Sequence, residues 1–233
     1  MAKAQGITIA IVDAESTGKT TLAAALAQRL SAETGRRVAW VPEVLRQWCE
    51  HTGRTPRVHE QASILRRQHE RLDKAAAAHE LVVCDTTALM TAVYSRLVFG
   101  DRTFEERAAL LHRRSVALTL LTALDLPWVG DGHQRDGPQV REPVDSALRE
   151  LMQHHGIGFS VVGGQGDARL EHALDAVAPL LRDGVTAAQG TGMRSGLFTG
   201  LADTSARDRP WSCECCLPDQ ERALRRQRAD PVQ

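Results

Sequence analysis

Residues 7–22, ITIAIVDAESTGKTTL, constrain the chain more than any other stretch. An apolar, β-branched run leads into Asp13-Ala14-Glu15-Ser16-Thr17-Gly18-Lys19-Thr20 and then into an apolar helical pattern. A buried strand that feeds a tight loop, which in turn opens a helix, gathers unpaired backbone N–H groups around one point. The positive end of the helix dipole lies there too, and the combination suits a phosphate. The loop fits G-x-x-x-x-G-K-[ST] except at its first position, where Asp13 replaces glycine. Within it Ala14, Glu15, Ser16, Thr17, Gly18, Lys19, Thr20 and Thr21 are expected to surround the phosphates of ATP. Lys19 supplies a point charge for the β- and γ-phosphates, and the Thr20 hydroxyl is a ligand for Mg²⁺. Aspartate tolerates unusual backbone angles better than most residues, so the loop is expected to form. Glycine at position 13 is expected to keep or improve ATP affinity, unless the carboxylate turns away and bonds within the loop.

The chain has 233 residues, with 29 Lys and Arg against 29 Asp and Glu. That balance argues against a general binder of nucleic acid or membrane surfaces. No apolar run approaches the roughly 20 residues of a membrane span, and the opening MAKAQG has no hydrophobic signal core. Three of the five cysteines fall in the last 21 residues, which is not a disulfide framework. The expected setting is a reducing cytoplasm.

Strand-like runs alternate with helical ones from residue 7 to about 182. Val38–Val41, Leu81–Cys84, Ala117–Leu121 and Phe159–Val162 read as short buried strands. Thr20–Ala32, Glu60–His79, Thr87–Leu97, Phe104–Arg114, Val144–His155 and Asp167–Leu181 show helical spacing. Alternation of this kind predicts an α/β fold, a parallel sheet with helices on both faces. Residues 183–208 are rich in Gly, Thr, Ala and Ser with little periodicity and read as a linker. Residues 209–233 form a charged tail around Cys213, Cys215 and Cys216. Three thiolates could hold a metal ion or serve a protein partner, but C-x-C-C matches no common zinc spacing. Cys49 and Cys84 read as small core residues.

Leu81-Val82-Val83-Cys84-Asp85 is an apolar strand that ends in an acid. In a doubly wound sheet the strand ends form the ligand crevice, so Asp85 is expected to face the phosphate loop. There it can hold Mg²⁺ or take a proton from an attacking hydroxyl. The plainer alternative is an aspartate capping the helix that starts near Thr87.

Three further segments narrow the reading: Glu43-Val44-Leu45-Arg46 after the second strand, Asp85-Thr86 after the third, and Pro127-Trp128-Val129-Gly130-Asp131-Gly132 followed by Arg135 and Arg141. Together with the E-S-T-G-K-T loop, this set resembles the nicotinamide-riboside kinase domain of NadR-type proteins and the wider group of NadR-like P-loop ATPases. The resemblance covers about residues 5–182. It implies an adenylate-kinase-like parallel sheet with a lid loop, and phosphoryl transfer from Mg-ATP to a hydroxyl, with a nucleoside such as nicotinamide riboside as the leading acceptor. It implies a catalytic-side acid at Asp85, acceptor contacts at Glu43, Arg46 and Asp131, and a lid over Trp128 to Arg141 that carries Arg135 and Arg141. This chain departs from the family where D-T-D often follows the third strand, since it reads Asp85-Thr86-Thr87 and lacks the second acid.

Glu43 and Arg46 lie three apart at a helix start and so share one face. A carboxylate there can accept from two ribose hydroxyls, and a guanidinium can clamp an anionic or carboxamide oxygen. The alternative is a surface ion pair worth under about 1 kcal/mol. A closing arginine would neutralise charge as the transition state forms, and closure would exclude water. The rival function is a nucleotide-binding regulatory or interaction module without small-molecule kinase activity, its partner surface made by the tail.

Overall fold

The structure, a computed structural model, describes residues 5–129 and 137–186. Asp131, Arg135, the linker beyond residue 186 and the three tail cysteines lie outside them.

Five strands form one parallel sheet: β1 (Ile7–Val12), β2 (Val38–Val41), β3 (Leu81–Asp85), β4 (Leu118–Thr122) and β5 (Ser160–Val162), in the order β2-β3-β1-β4-β5. The helices are α1 (Lys19–Thr34), α2 (Val44–Thr52), α3 (Val58–Ala78), α4 (Ala88–Phe99), α5 (Glu105–Ser115), α6 (Arg141–His154) and α7 (Gly166–Thr186). The expected α/β class and parallel sheet are therefore present, with most element ends displaced by one or two residues. Three differences are larger: α7 continues to Thr186, five residues past its expected end and into the stretch read as linker, and two more lie after β2 and before α6. A separate helix, α2, occupies the stretch after β2, and a short 3-10 turn at Pro138–Val140 leads into α6 at Arg141.

The central strands are buried on both faces, which is why they read as continuous apolar runs rather than as alternating ones. Because side chains alternate along a strand, Ile9, Ile11, Leu81, Val83 and Leu120 pack with Leu22, Leu26 and Leu30 of α1 and with Ala173 and Val177 of α7. On the other face Val82 and Cys84 meet Leu72 and Ala76 of α3, while Val12 and Leu121 join a cluster built by α4, α5 and α6 around Leu89, Leu148 and Met152. Each such fully buried leucine contributes about 1.5–3 kcal/mol. Cys84 is wholly buried and Cys49 nearly so, as expected of core thiols. Burial pushes the Cys84 thiol up to about 12 and so keeps it protonated.

The sheet order places β1 between β3 and β4, so the loop after β1 sits at the reversal point of the strand order, where open α/β sheets bind ligands. In register, Ile11 of β1 stands beside Asp85 of β3. That pairing carries the end of the Asp85 strand to the base of the phosphate loop.

Candidate active site

The loop between β1 and α1 is built around Gly18, which caps α1 at φ 77° and ψ 15°. A side chain at this position would be strained by the positive φ, and its Cβ would come 3.0 Å from Leu126 Cδ1. The first turn of α1 has no side-chain cap and no acidic residue, so its amides remain available to an anion. The Lys19 ammonium lies inside the turn and donates to the Ala14 carbonyl, which also accepts from the Thr17 hydroxyl at 3.1 Å. Ser16, at the loop tip, accepts from the Val129 N–H at 2.8 Å and donates to the Val129 carbonyl at 3.1 Å. That pair of bonds joins the phosphate loop to the segment after β4.

A cleft of about 500 Å³ opens over this loop, lined by Ser16 to Thr21, Arg46, Leu126, Pro127, Val129, Gln165 and Gly166. Lys19 and Thr20 thus line one cavity together with Arg46. Glu43 stands at the N-cap position of α2, its carboxylate 3.8 Å from Arg46 Nε. The start of α2 is fastened by the Val44 N–H donating to Gln68 Oε1 at 2.8 Å, which ties this face to α3.

Asp85 ends β3 with no exposed surface, and neither carboxylate oxygen has a hydrogen-bond partner. The Thr20 hydroxyl lies beside it without closing a well-formed bond, and Lys19 and Arg46 act on it through charge. Burial nevertheless dominates and holds its pKa above the usual carboxylate range. A buried acid with unmet oxygens beside a threonine hydroxyl at a phosphate loop is a donor set that suits a hard cation such as Mg²⁺. Asp85 does not cap the following helix, because Thr87 does so by accepting from the Leu89 N–H at 3.3 Å.

Thr87 stands where the resembling family often carries its second acid, and here it turns into the core. Its hydroxyl meets His112 Nδ1 at 3.0 Å, while His112 Nε2 meets Thr119 Oγ1 at 2.8 Å. Burial drives the His112 pKa down from 6.5 to about 4. The unfolded chain therefore takes up the proton first as pH falls, and stability present at neutral pH is lost between about 6.5 and 4. At pH 4.5 the loss through His112 is expected to be about 2.5 kcal/mol. Urea unfolding of the wild type and His112→Gln at pH 4.5 and pH 7 checks this. The gap between the two proteins should narrow at the lower pH, and an unchanged gap would refute it.

Arg141 differs from expectation. It opens α6, is 8% exposed and donates to the Leu126 carbonyl at 2.8 Å rather than lining the cleft. Its Nε and one terminal nitrogen are buried without hydrogen-bond partners. The reason lies in its place at a helix start packed beneath the loop after β4, where a side chain is drawn inward. Asp131 and Arg135 lie outside the described residues.

Two residues outside the expected set shape the site. Arg169, on the first turn of α7 and 4% exposed, donates to the Thr17 carbonyl at 2.6 Å and the Gly164 carbonyl at 2.7 Å, and pairs with Asp125. Asp125 in turn accepts from the Gly164 N–H at 2.6 Å. One guanidinium therefore pins the phosphate loop to the segments after β4 and β5. The only sequence signal was an arginine just inside a helix after a glycine-rich turn, which by itself specifies no partner. The second residue is Asp13. Its carboxylate is fully buried and accepts from the Ala14 N–H at 2.5 Å and from Thr122 Oγ1 at 3.3 Å. The loop has formed around it, with the carboxylate bonded internally.

The profile of the AAA-domain family matches residues 8–169. Two crystal structures of NadR protein share the fold. One, in complex with NR, has a TM-score of 0.62 and 21% identity over 75% of this chain and 51% of its own. The other, in complex with NAD and AMP-PNP, has a TM-score of 0.60 and 20% identity over 82% and 52%. The chain thus spans about half the length of those NadR chains. Thymidylate kinase from Ehrlichia chaffeensis has a TM-score of 0.53 and 14% identity over 76% of this chain and 99% of its own. At these identities the likeness is one of fold. No curated protein matches the sequence.

Proposed function

The chain belongs to the AAA-domain family, and on that premise we propose that it transfers the γ-phosphoryl group of ATP to a hydroxyl of a small nucleoside-like molecule, with nicotinamide riboside as the leading acceptor. The observation that carries this reading is Asp85: a buried carboxylate with both oxygens unmet, beside Thr20 and Lys19, at the end of the strand next to the phosphate loop. A structural aspartate would have found partners. A carboxylate poised for a metal ion or a substrate proton has reason not to.

The loop amides and Lys19 hold the β- and γ-phosphates, and the nucleoside end of ATP extends toward Leu126, Pro127, Gln165 and Gly166. Thr20 and Asp85 would hold Mg²⁺, which when bound draws charge from the phosphate oxygens. The raised pKa of Asp85 suits it to receive the proton of the attacking hydroxyl. Glu43 and Arg46 orient the acceptor, with Asp131 as a further acceptor contact and Arg135 as a charge for the transferring phosphate. Residues 1–182 carry the activity in the cytoplasm; α7 runs on to Thr186, the rest of 183–208 is the linker, and 209–233 is the contact for a protein partner.

Purified protein with Mg-ATP is expected to release ADP in proportion to an added nucleoside from a panel of ribosides, with the phosphorylated product visible by mass spectrometry. A second reading, a nucleotide switch without an acceptor, draws on Thr87, which leaves the site without a second acid. ADP release that no riboside accelerates would favour the switch and refute the kinase.

A further inference from the structure

We infer that Asp13 is a positioning residue of the phosphate loop, its carboxyl standing where glycine is expected and clamping the Ala14–Thr17 turn to β4 through Thr122. The inference rests on reading this loop as the nucleotide-phosphate site. Of the two outcomes expected at position 13, it takes the one in which the carboxylate bonds within the loop.

The geometry is closed on every side. Asp13 has no exposed surface and a φ of 156°, at the far edge of the region that favours glycine. One carboxyl oxygen takes the Ala14 N–H at 2.5 Å, and the other meets Thr122 Oγ1 at 3.3 Å. Thr122 Oγ1 is 2.8 Å from Thr17 Oγ1, which lies 3.1 Å from the Ala14 carbonyl. Carboxyl, two hydroxyls and carbonyl thus form a ring across the loop, with β4 supplying one member.

Each hydroxyl has one proton, so all three contacts can be made at once only when Asp13 supplies a third. With Asp13 protonated, its O–H donates to Thr122, Thr122 donates to Thr17, and Thr17 donates to the Ala14 carbonyl. All three contacts are then made. With Asp13 ionised, Thr122 donates to the carboxylate, and the single Thr17 proton serves either Thr122 or the Ala14 carbonyl, so one of the three contacts is lost. Burial raises the Asp13 pKa to about 6; the Lys19 charge from α1 opposes this and the Asp145 charge from α6 adds to it. The protonated form makes all three contacts and places no negative charge beside the phosphates. An asparagine reproduces that form at every pH, since its carbonyl accepts from Ala14 and its amide donates to Thr122. A glycine reproduces none of it.

Titration of Mg·AMP-PNP into the full chain by calorimetry at pH 5 and pH 7.5 tests this. At pH 5, Asp13→Asn is expected to bind within about three-fold of wild type, and Asp13→Gly at least ten-fold more weakly. At pH 7.5, Asp13→Asn is expected to bind tighter than wild type by about three-fold or more. Thr122→Val, the companion if the glycine variant does not fold, should weaken binding in the same sense. A glycine variant that binds as tightly as wild type at pH 5, or an asparagine variant that falls with it, overturns the inference. Hydrogen exchange of the ligand-free protein separates the clamp from the functional reading. The peptide containing residues 14–21 should exchange faster in Asp13→Gly than in wild type, and unchanged exchange overturns the clamp. If wild type fails to bind the nucleotide while that exchange difference is present, the nucleotide reading fails and the clamp stands.

Discussion

Lys19→Ala is expected to lower ATP-dependent turnover by about a hundred-fold or more while leaving the fold intact. The ammonium lies inside the loop and donates to the Ala14 carbonyl. That carbonyl keeps the Thr17 hydroxyl as a second donor, so removing the lysine leaves no buried acceptor unmet. What is lost is a positive charge in a cleft where the phosphates are to sit. A preorganised charge of that kind acts most strongly on the transition state, when negative charge spreads over the transferring group. The loss should therefore appear in turnover as well as in nucleotide affinity. Circular dichroism and steady-state ADP release on the same preparation decide the matter, and wild-type turnover in a folded Lys19→Ala protein would remove this loop from the mechanism.

Arg169→Ala is expected to destabilise the protein by about 3 kcal/mol, since it removes several charge-assisted bonds from a buried group at once. For a domain of this size that corresponds to roughly 6–12 °C in Tm. The Thr17 and Gly164 carbonyls lose the guanidinium donor, and Asp125 loses its cationic partner and keeps only the Gly164 N–H. Because Thr17 belongs to the phosphate loop, nucleotide affinity should fall along with stability. Arg169→Lys should recover little, because one ammonium cannot reproduce a planar fork aimed at two carbonyls and a carboxylate. Thermal unfolding with and without Mg·AMP-PNP reads both effects. A shift below about 2 °C would show that α7 is held to the sheet by Ala173 and Val177 and owes little to Arg169.

Much of the architecture follows from short-range patterning. Apolar runs at β1, β3 and β4, helical spacing in α1, α3 and α7, and Gly18-Lys19-Thr20 at a helix start are features of neighbouring residues, so their consequences are local. The parallel sheet follows from the alternation, because parallel strands need crossovers and helices supply them. Asp85 was legible for the same reason, as an acid closing an apolar strand. The helix α2 was legible only at its start, through Glu43 and Arg46, because nine residues give the helical period little more than two turns in which to show itself.

The residues that set the state of the loop depend on contacts between distant parts of the chain. Asp13 meets Thr122 across 109 positions, and Arg169 meets Thr17 across 152. No spacing rule links such pairs, because the strand order alone brings them together. Read in isolation, Asp13 is a misplaced charge and Arg141 a lid arginine. In the folded chain the first closes a hydrogen-bonded ring and the second holds the Leu126 carbonyl. Local periodicity and turn chemistry decide which elements form and where the phosphates go. Burial and long-range hydrogen bonding decide which charges face the cleft and which are turned inward to support it.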